Sequence, residues 1–353
     1  MKASNTLRGA VAFCAAAGFL AACGGGGQPP LAPLGQPPAP LLNTSGAATS
    51  AGTALHPDLA PSWMAPGAAT KDLLYISNYD KNSVAVYSYP QDKLVGTLSG
   101  LDQPDGVCAD KKGDVWIVNN DAYVYDNVVE YKHGGTAPIA RLADHDQFAV
   151  SCSVDPTTGN LAVTNLIAYG GGEGTLALYR HATGGATLYS VPKMQGVYFC
   201  GYDDKGNLFV DGRDKNFQFQ FDELPKGKKT FEHIQLKVQV IFPGDVVWDG
   251  KYVAVGDQEY EIVGSPAEYD SAIFRTTGAG GKTVGTTVLG DSNDVAGFTI
   301  DGKTVIAADL SPYSYPEPNN VPFYNYPAGG RPTKILSKGV DQPHGVALSV
   351  GPK

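Results

Sequence analysis

The chain has little positive charge and, beyond Ala22, no long hydrophobic run. Its 353 residues include 26 lysines and arginines against 35 aspartates and glutamates, a formal net charge of −9. Removal of Lys2 and Arg8 with an N-terminal leader would leave 24 basic and 35 acidic residues, or −11. This excess of negative charge argues against nucleic acid or anionic lipid as the main partner.

The chain also lacks the motifs of common enzyme sites. Its five cysteines show no zinc-site spacing, and neither a G-x-S-x-G motif, a phosphate-binding loop nor a catalytic triad is recognisable. Glycine (44), proline (25) and tyrosine (19) are frequent instead. This composition favours many short strands joined by turns.

Residues 1–22 are predicted to be a signal peptide. Lys2 and Arg8 precede an apolar stretch, Gly9 to Ala22, that is too short to span a bilayer. The sequence LAAC, which ends at Cys23, resembles the lipobox of bacterial lipoproteins, and this implies cleavage before Cys23 and its lipidation. The residue after the cysteine is Gly24 rather than an aspartate, which resembles outer-membrane rather than inner-membrane lipoproteins of Gram-negative bacteria. A plain secretory signal with a chance cysteine is the alternative.

Residues 23–70 are predicted to be the lipidated cysteine and a disordered Gly/Pro/Ala-rich tether. Residues 24–70 contain one acidic residue and no lysine or arginine. A flexible chain of this length spans about 40 Å, enough to hold a domain clear of lipid headgroups. Trp63 to Pro66 is a candidate for packing on that domain. We therefore expect a monomer in the bacterial cell envelope, at the outer membrane or cell surface, that contacts the membrane only through its lipid.

From Lys71 onward, an alternating strand that ends in a small polar residue occurs six times. The copies are LYISN, VWIVN, LAVTN, LFVDG, YVAVG and VIAAD, which start at residues 74, 115, 161, 208, 252 and 305. Their spacings of 41, 46, 47, 44 and 53 residues lie within or near the span of one four-stranded propeller blade. The sequence thus predicts an all-β, six-bladed β-propeller over residues 71–353.

The two ends of this domain complete each other. The N-terminal copy lacks the first strand of its blade, while Val340 to Ser349, VDQPHGVALS, is a first strand with nothing after it. Pairing the two would close the ring and leave no large unpaired sheet edge. The predicted blades are residues 72–100 with 340–350, then 101–144, 145–192, 193–240, 241–290 and 291–339.

Three segments, LDQPDGVCADKKGDVWIVNN, VDQPHGVALS and KGNLFVDG, are similar to the P-x-G-V-A-V-D and G-N-V-Y-V-A-D pattern of NHL repeats. The chain resembles six-bladed propellers of this NHL or YVTN-like type over about residues 72–350, which implies the fold more than a function. It departs from two six-bladed enzyme families. The L-G-E-G-P motif of gluconolactonase and regucalcin-like proteins is missing, and only His344 could stand where peptidyl-amide lyases need several histidines.

Two rings of polar side chains are predicted around the mouth of the central channel, because the first strand of a blade begins, and the second ends, at the same face. The inner ring contains Asp105, Gln147, Gln195, Asp245, Asp294 and His344, and the outer ring contains Asn78, Asn119, Asn165, Asp211, Asp257 and Asp309. Asp105, Asp245, Asp294 and His344 are candidate ligands for one divalent cation, Ca²⁺, Zn²⁺ or Mn²⁺. The alternative, favoured for the outer ring, is that these groups cap backbone atoms.

Long loops at the same face carry Tyr169, Tyr260, Tyr313 and Tyr315. Tyrosine on a loop offers a flat contact surface with a polar tip, which suits a sugar or an extended peptide. We therefore count these tyrosines, with Asp105, Gln195, Asp245, Asp294 and His344, as candidate ligand-binding residues. Packing of each tyrosine on its own blade is the alternative.

Three functions fit these features. The first is a non-enzymatic binding module, anchored by its lipid, whose propeller mouth takes a glycan, a peptide or an envelope protein. The second is a divalent-metal-dependent hydrolase, lactonase or lyase that works at the channel mouth. The third is a scaffold in envelope assembly that uses the rim of the propeller.

Three cysteines remain once Cys14 has left with the leader and Cys23 is lipidated. Cys108, Cys152 and Cys200 all lie on predicted innermost strands. Cys152 and Cys200 occupy the same register in neighbouring blades, but packed sheets are about 10 Å apart, whereas a disulfide needs Cα atoms within about 7 Å of each other. We therefore expect buried thiols.

Overall fold

The computed structural model describes residues 60–120, 127–144, 147–168, 172–261, 269–292, 294–310 and 319–352. Six antiparallel sheets follow one another along the chain. Within each sheet the strands run outward in the order of the sequence, except in blade one, which is described below. Within the described part, no helix is long and apolar enough to cross a membrane.

Each blade is built from short strands that follow one another along the chain, and the last strand returns to blade one. Blade one contains β1 (Trp63–Met64), β2 (Asp72–Asn78), β3 (Ser83–Tyr89) and β4 (Lys93–Leu98), and blade two contains β5 (Pro104–Ala109), β6 (Val115–Asn119), β7 (Asn127–Tyr131) and β8 (Pro138–Ala143). Blade three contains β9 (Gln147–Val154), β10 (Leu161–Ala168), β11 (Thr175–Tyr179) and β12 (Thr187–Tyr189), and blade four contains β13 (Gly196–Tyr202), β14 (Leu208–Arg213), β15 (Phe219–Leu224) and β16 (Glu232–His233). Blade five contains β17 (Pro243–Trp248), β18 (Val253–Glu261), β19 (Tyr269–Thr276) and β20 (Thr283–Leu289), and blade six contains β21 (Val295–Asp301), β22 (Thr304–Asp309), β23 (Val321–Asn325) and β24 (Lys334–Leu336). The last strand, β25 (Pro343–Ser349), belongs to blade one.

Blade one closes the ring. Its strand order is β1-β4-β3-β2-β25, so its innermost strand comes from the C-terminus. β25 and β2 are antiparallel, with Leu73 opposite Ser349 at one end and Asn78 opposite Pro343 at the other. The innermost strands β25, β5, β9, β13, β17 and β21 contact one another in a closed cycle. The predicted six-bladed ring and its closure by the C-terminal strand are confirmed.

β1 adds a fifth strand to blade one. Trp63 lies opposite Thr97 and Met64 opposite Gly96 on the outer edge of β4. Glycine fits at position 96, because a Cβ there would lie 2.9 Å from the Trp63 carbonyl oxygen. The segment from residue 60 to residue 70, which we assigned to the tether, therefore includes a strand of the folded blade.

The hydrophobic core lies between the faces of neighbouring blades. Alternate residues of β2 and β3 pack against β6 and β7, and the opposite residues of the same two strands pack against blade six. Tyr75 and Tyr131 are fully buried in the first of these layers, where the Tyr75 hydroxyl accepts the Gly134 N–H at 2.9 Å. Each large buried side chain contributes about 1.5–3 kcal/mol, so stability is distributed around the whole ring.

The prediction of free thiols is wrong for two of the three cysteines. Cys108 on β5 and Cys152 on β9 form a disulfide, with their Cα atoms 5.8 Å apart. The spacing of about 10 Å that we assumed applies to sheets packed face to face, but innermost strands converge on the channel axis and approach more closely. Cys200 is a buried free cysteine, as expected.

The disulfide should contribute to the free energy of unfolding because it closes a separation of 44 residues. We expect the Cys108→Ser/Cys152→Ser double variant to lose about 2–4 kcal/mol. Urea unfolding would measure this loss, and peptide mapping without reductant should recover a Cys108–Cys152 linked pair. An unmodified Cys108 thiol in the oxidised, folded protein would contradict the assignment.

Candidate functional site

A β-bulge near the start of the first strand decides which side chains reach the channel mouth. In blade two, Pro104 pairs with Asn119 and Val107 pairs two residues earlier on β6. Asp105 and Gly106 therefore lie opposite a single residue of the neighbouring strand. Such a bulge turns the first of its two residues out of the regular alternation.

The strand that closes the ring has the same bulge. Val346 of β25 lies opposite Ile76 of β2, and Pro343 lies opposite Asn78. Two residues of β25, His344 and Gly345, therefore lie opposite one residue of β2 and form the bulge. Asp105 and His344 therefore occupy equivalent positions in neighbouring blades. The DQPDG and DQPHG motifs of the sequence correspond to this shared geometry.

Asp105 and His344 meet at the mouth. His344 Nδ1 lies 3.1 Å from Asp105 Oδ1, and the side chains are 17% and 11% exposed. The ring of Tyr79 stacks on the imidazole, with centroids 4.4 Å apart and planes 11° apart. A carboxylate on one side and an aromatic face on the other hold the imidazole in one orientation. We call Asp105, His344 and Tyr79 the mouth group.

Asp245 does not join the mouth group, because it is the second bulge residue of its strand rather than the first. Its Oδ1 accepts the Val246 N–H at 2.9 Å, and its Oδ2 accepts the Phe298 N–H of blade six at 3.2 Å. Burial raises its pKa to about 7, against the effect of these two hydrogen bonds. Asp245 thus ties two innermost strands together.

Gln195 and Asp294 lie in connections before the bulges. Gln195 is exposed, and its N–H donates to the Arg213 carbonyl at 2.7 Å. The Asp294 N–H donates to the Gln258 carbonyl at 3.1 Å, and burial, with the charge of Glu259, raises the Asp294 pKa to about 6. These residues lie at different positions along the chain relative to the bulge of their blade. The residues of the predicted inner ring are therefore not structurally equivalent.

The four candidate metal ligands are not brought together. Asp105 and His344 are in contact, Asp245 binds two backbone N–H groups, and Asp294 lies in a connection. Throughout the ranges that the structure describes, no group of three or more His, Cys, Asp or Glu side chains could hold a metal ion. The mouth group supplies at most two such donors.

Three members of the predicted outer ring cap the chain as it enters their blades. Asn78 Oδ1 accepts the Asp341 N–H at 3.0 Å, and Asn119 Oδ1 accepts the Asp102 N–H at 2.6 Å. In blade five, Asp257 accepts backbone N–H groups of the incoming connection at 3.0–3.1 Å. These contacts match the structural alternative that we set beside the ligand hypothesis.

Asp211 lies one position away from the outer ring. The residue equivalent to Asn119 in this blade is Gly212, which directly follows Asp211. The Asp211 Oδ1 accepts the Phe199 N–H, inside the bulge of its own blade, at 2.9 Å. Asp211 is fully buried and its Oδ2 has no hydrogen-bond partner. Burial therefore raises its pKa well above the usual range of an aspartate.

One of the four candidate tyrosines can be placed. Tyr260 packs edge-to-face on Phe274 of its own blade, with ring centroids 5.8 Å apart. Tyr169, Tyr313 and Tyr315 lie outside the described residues, so their role in binding stays a prediction. Tyr79 was missed, although its place directly after the strand-ending Asn78 was a usable signal.

Comparison with known proteins agrees with this geometry. No family model matches the chain, and no curated protein matches its sequence. Many solved structures do match. The fold is a six-bladed β-propeller. A structure of a nidogen/laminin complex has a TM-score of 0.61 at 9% identity, covering 80% of this chain and 100% of that one.

Two bacterial structures are also similar to this chain. A protein of unknown function from Bacteroides caccae has a TM-score of 0.57 at 11% identity, covering 79% of this chain and 99% of that chain. TolB from Acinetobacter baumannii has a TM-score of 0.53 at 14% identity, covering 81% of this chain and 68% of that chain. At such identities the likeness shows the fold alone.

Stability should fall as the pH rises from about 4 to about 7. Burial raises the pKa of Asp144 and Asp245 to about 7 and that of Asp257 and Asp294 to about 6. Over this range the folded protein keeps protons that the unfolded chain has lost, so each added pH unit favours unfolding. We expect a higher melting temperature at pH 5 than at pH 8.

The Asp245→Asn variant separates this effect from general charge repulsion. Asparagine cannot ionise, so the variant should show a smaller difference in melting temperature between pH 5 and pH 8. Asp341→Asn, at a half-buried carboxylate on the connection into β25, is the control for the loss of one negative charge. Equal melting temperatures at both pH values in the wild type would contradict the burial argument.

Proposed function

We propose that this protein is a non-enzymatic binding module that presents the mouth face of a β-propeller to a glycan, a peptide or an envelope protein. The observation that carries the proposal is the mouth group, in which Asp105, His344 and Tyr79 meet at the channel entrance. Propellers host many functions, so the site rather than the fold must carry the argument.

The chemistry of the mouth group suits recognition. Histidine can donate or accept hydrogen bonds, and the Asp105 contact determines which ring nitrogen is engaged by the protein. Tyr79 is half-buried and contributes a flat aromatic surface beside it. A preoriented polar group next to an aromatic ring lowers the entropy lost when a ligand binds.

The proposal includes the location of the protein. The signal-like N-terminus and the LAAC motif support lipidation at Cys23 and anchoring in a bacterial envelope, with the tether holding the propeller away from the membrane. The negative net charge of −9 fits a partner that is neither nucleic acid nor anionic lipid.

A divalent-metal-dependent hydrolase or lyase is the second candidate. One observation favours it, since a carboxylate in contact with a histidine is also the arrangement that orients a general base. The mouth group offers two donors, and a metal-dependent reaction of this kind needs a third. A binding role needs no third metal ligand, and for that reason we place it first.

The mouth group is tested by binding to glycan and peptide arrays. Tyr79→Ala and His344→Ala should each weaken an array ligand at least tenfold, because each removes one of the two stacked rings. Melting temperatures should stay near the wild-type value. His181→Ala is the matched control, since His181 is exposed near the turn between β9 and β10, on the face opposite the mouth.

Array ligands whose affinity is unchanged in both mouth variants would contradict the proposed site. Binding that needs added Ca²⁺, Zn²⁺ or Mn²⁺ and disappears with a chelator would favour the metal-dependent alternative. If no ligand is found on either array while the protein is recovered in a stable envelope complex, the scaffold function gains support instead.

Anchoring is tested separately at the N-terminus. Cys23→Ser removes the residue that would carry the lipid, so the variant should move from the membrane fraction to the soluble fraction. Immunoblots of fractionated cells measure this, with Cys14→Ser as the control because that residue lies within the predicted leader. An unchanged distribution of the Cys23→Ser variant would refute lipidation.

A further inference from the structure

A cleft of about 820 Å³ lies beside blade four, away from the mouth group. It separates β15 from residues 234–241 of the connection that leads to blade five. The cleft exists because β16 has two residues, whereas the outer strands β4, β8, β12, β20 and β24 of the other blades have three to seven. After Ile234 the chain leaves the sheet.

The direction of the backbone along β15 can be derived from two hydrogen bonds. The Asp214 N–H donates to the Gln218 carbonyl at 2.9 Å, so the backbone N–H and C=O of Gln218 point toward β14. Backbone groups alternate in direction along an antiparallel strand, so the N–H and C=O groups of Phe219 and Phe221 point away from β14. The Ile234 N–H donates to the Phe221 carbonyl at 2.8 Å, in agreement with this direction.

An open strand edge therefore lines the cleft. β16 pairs with Asp222 and Glu223, and no other described strand pairs with this side of β15. The outward N–H and C=O of Phe219 consequently face the cleft. Exposed strand edges bind extended polypeptide by adding it as a further strand, with alternate side chains directed to one face.

Phe217 supports a binding role on independent grounds. It is 73% exposed and has a φ of 61°, in the left-handed region that bulky residues avoid. The turns after Asp110 and Asp203 have the same hydrogen bonds and place Gly113 and Gly206 at this position. An exposed phenylalanine with a left-handed backbone, at a position where two equivalent turns have glycine, indicates a functional constraint.

The charges around the cleft favour an acidic ligand. Its lining includes Lys193 and Arg213 against one carboxylate, Asp214. The Arg213 guanidinium lies 4.2 Å from the centre of the Phe242 ring, its Nη2 donates to the Ile241 carbonyl at 2.6 Å, and the guanidinium also forms a hydrogen bond with the Tyr198 side chain. The Asp214 Oδ1 already accepts two N–H groups of its own turn.

Strand addition already occurs elsewhere on this molecule. β1 pairs with the outer edge of β4 through two residues, Trp63 and Met64, and extends blade one to five strands. A short extended segment with a large apolar side chain is therefore compatible with the edge of one of these blades. The edge of β15 is left uncovered at Phe219, because its neighbour β16 ends after two residues.

We propose that the cleft beside blade four binds an extended peptide segment of a partner protein, which pairs with the edge of β15 at Phe219. An acidic side chain of the segment lies toward Arg213 and Lys193, and an apolar side chain packs on Phe217. This site is distinct from the mouth group, and it stands or falls independently of the function proposed there.

The test uses a phage-displayed library of random dodecapeptides, panned on the full-length protein in detergent. Enriched peptides should combine an Asp or Glu with aromatic or β-branched residues at alternate positions. Phe217→Gly should weaken them at least tenfold while leaving the melting temperature unchanged or higher. Leu188→Ala, at a 51% exposed leucine on β12, is the matched control and should bind as the wild type does.

Hydrogen exchange of the wild-type protein tests the backbone contact without any variant. Saturating peptide should slow exchange of the Phe219 amide at least tenfold, whereas amides of the β5–β6 turn should not change. Three results would overturn the proposal: no enriched peptide, equal affinity for Phe217→Gly, or fast exchange at Phe219 with peptide bound. Slow exchange at Phe219 before peptide is added would also overturn it, since another segment or copy would already cover the edge.

Discussion

The antiparallel pairing of β25 with β2 is the contact on which the rest of the molecule depends. It joins the two ends of the propeller domain and brings the six innermost strands into one cycle. Without it, blade one would lack its innermost strand and two sheet edges would be open. The mouth group depends on the same contact, because His344 lies on the closing strand, Asp105 lies on β5 beside it and Tyr79 directly follows β2. Closure of the fold and assembly of the candidate site are thus one event.

Convergence of the innermost strands on the channel axis explains most of the close contacts between blades. Cα atoms of Cys108 and Cys152 lie 5.8 Å apart there, and Asp245 reaches across to the Phe298 N–H of the next blade. The same crowding excludes side chains, since a Cβ on Gly345 would lie 2.6 Å from the Asp105 carbonyl oxygen. Farther from the axis the blades diverge, and there the short β16 leaves room for a cleft. The centre of the ring is therefore tied together, whereas the cleft beside blade four lies toward the periphery.

The fold could be predicted from the sequence because strand period, turn residues and repeat spacing are local signals that recur six times. The candidate site could be predicted only in part. Asp105 and His344 share the P-x-G motif and were found through it, whereas the ring assigned to Gln195, Asp245 and Asp294 assumed a regular strand. A bulge adds one residue to the strand, so the side chains before it lie on the opposite face from the one that regular alternation predicts. The residue types in the strands of Gln195, Asp245 and Asp294 do not indicate where this change occurs. The disulfide was missed for a related reason, since strand convergence is a property of the closed ring rather than of any blade.

The central claim is that residues at the mouth face contact a ligand or partner where the protein works. Hydroxyl-radical footprinting of the full-length protein in intact cells, compared with the purified protein, tests it without knowledge of the ligand. The account predicts that Tyr79 and His344 are oxidised several-fold more slowly in cells, while His181 on the opposite face is oxidised equally in both samples. Equal oxidation of all three residues in cells and in the purified protein would contradict the account.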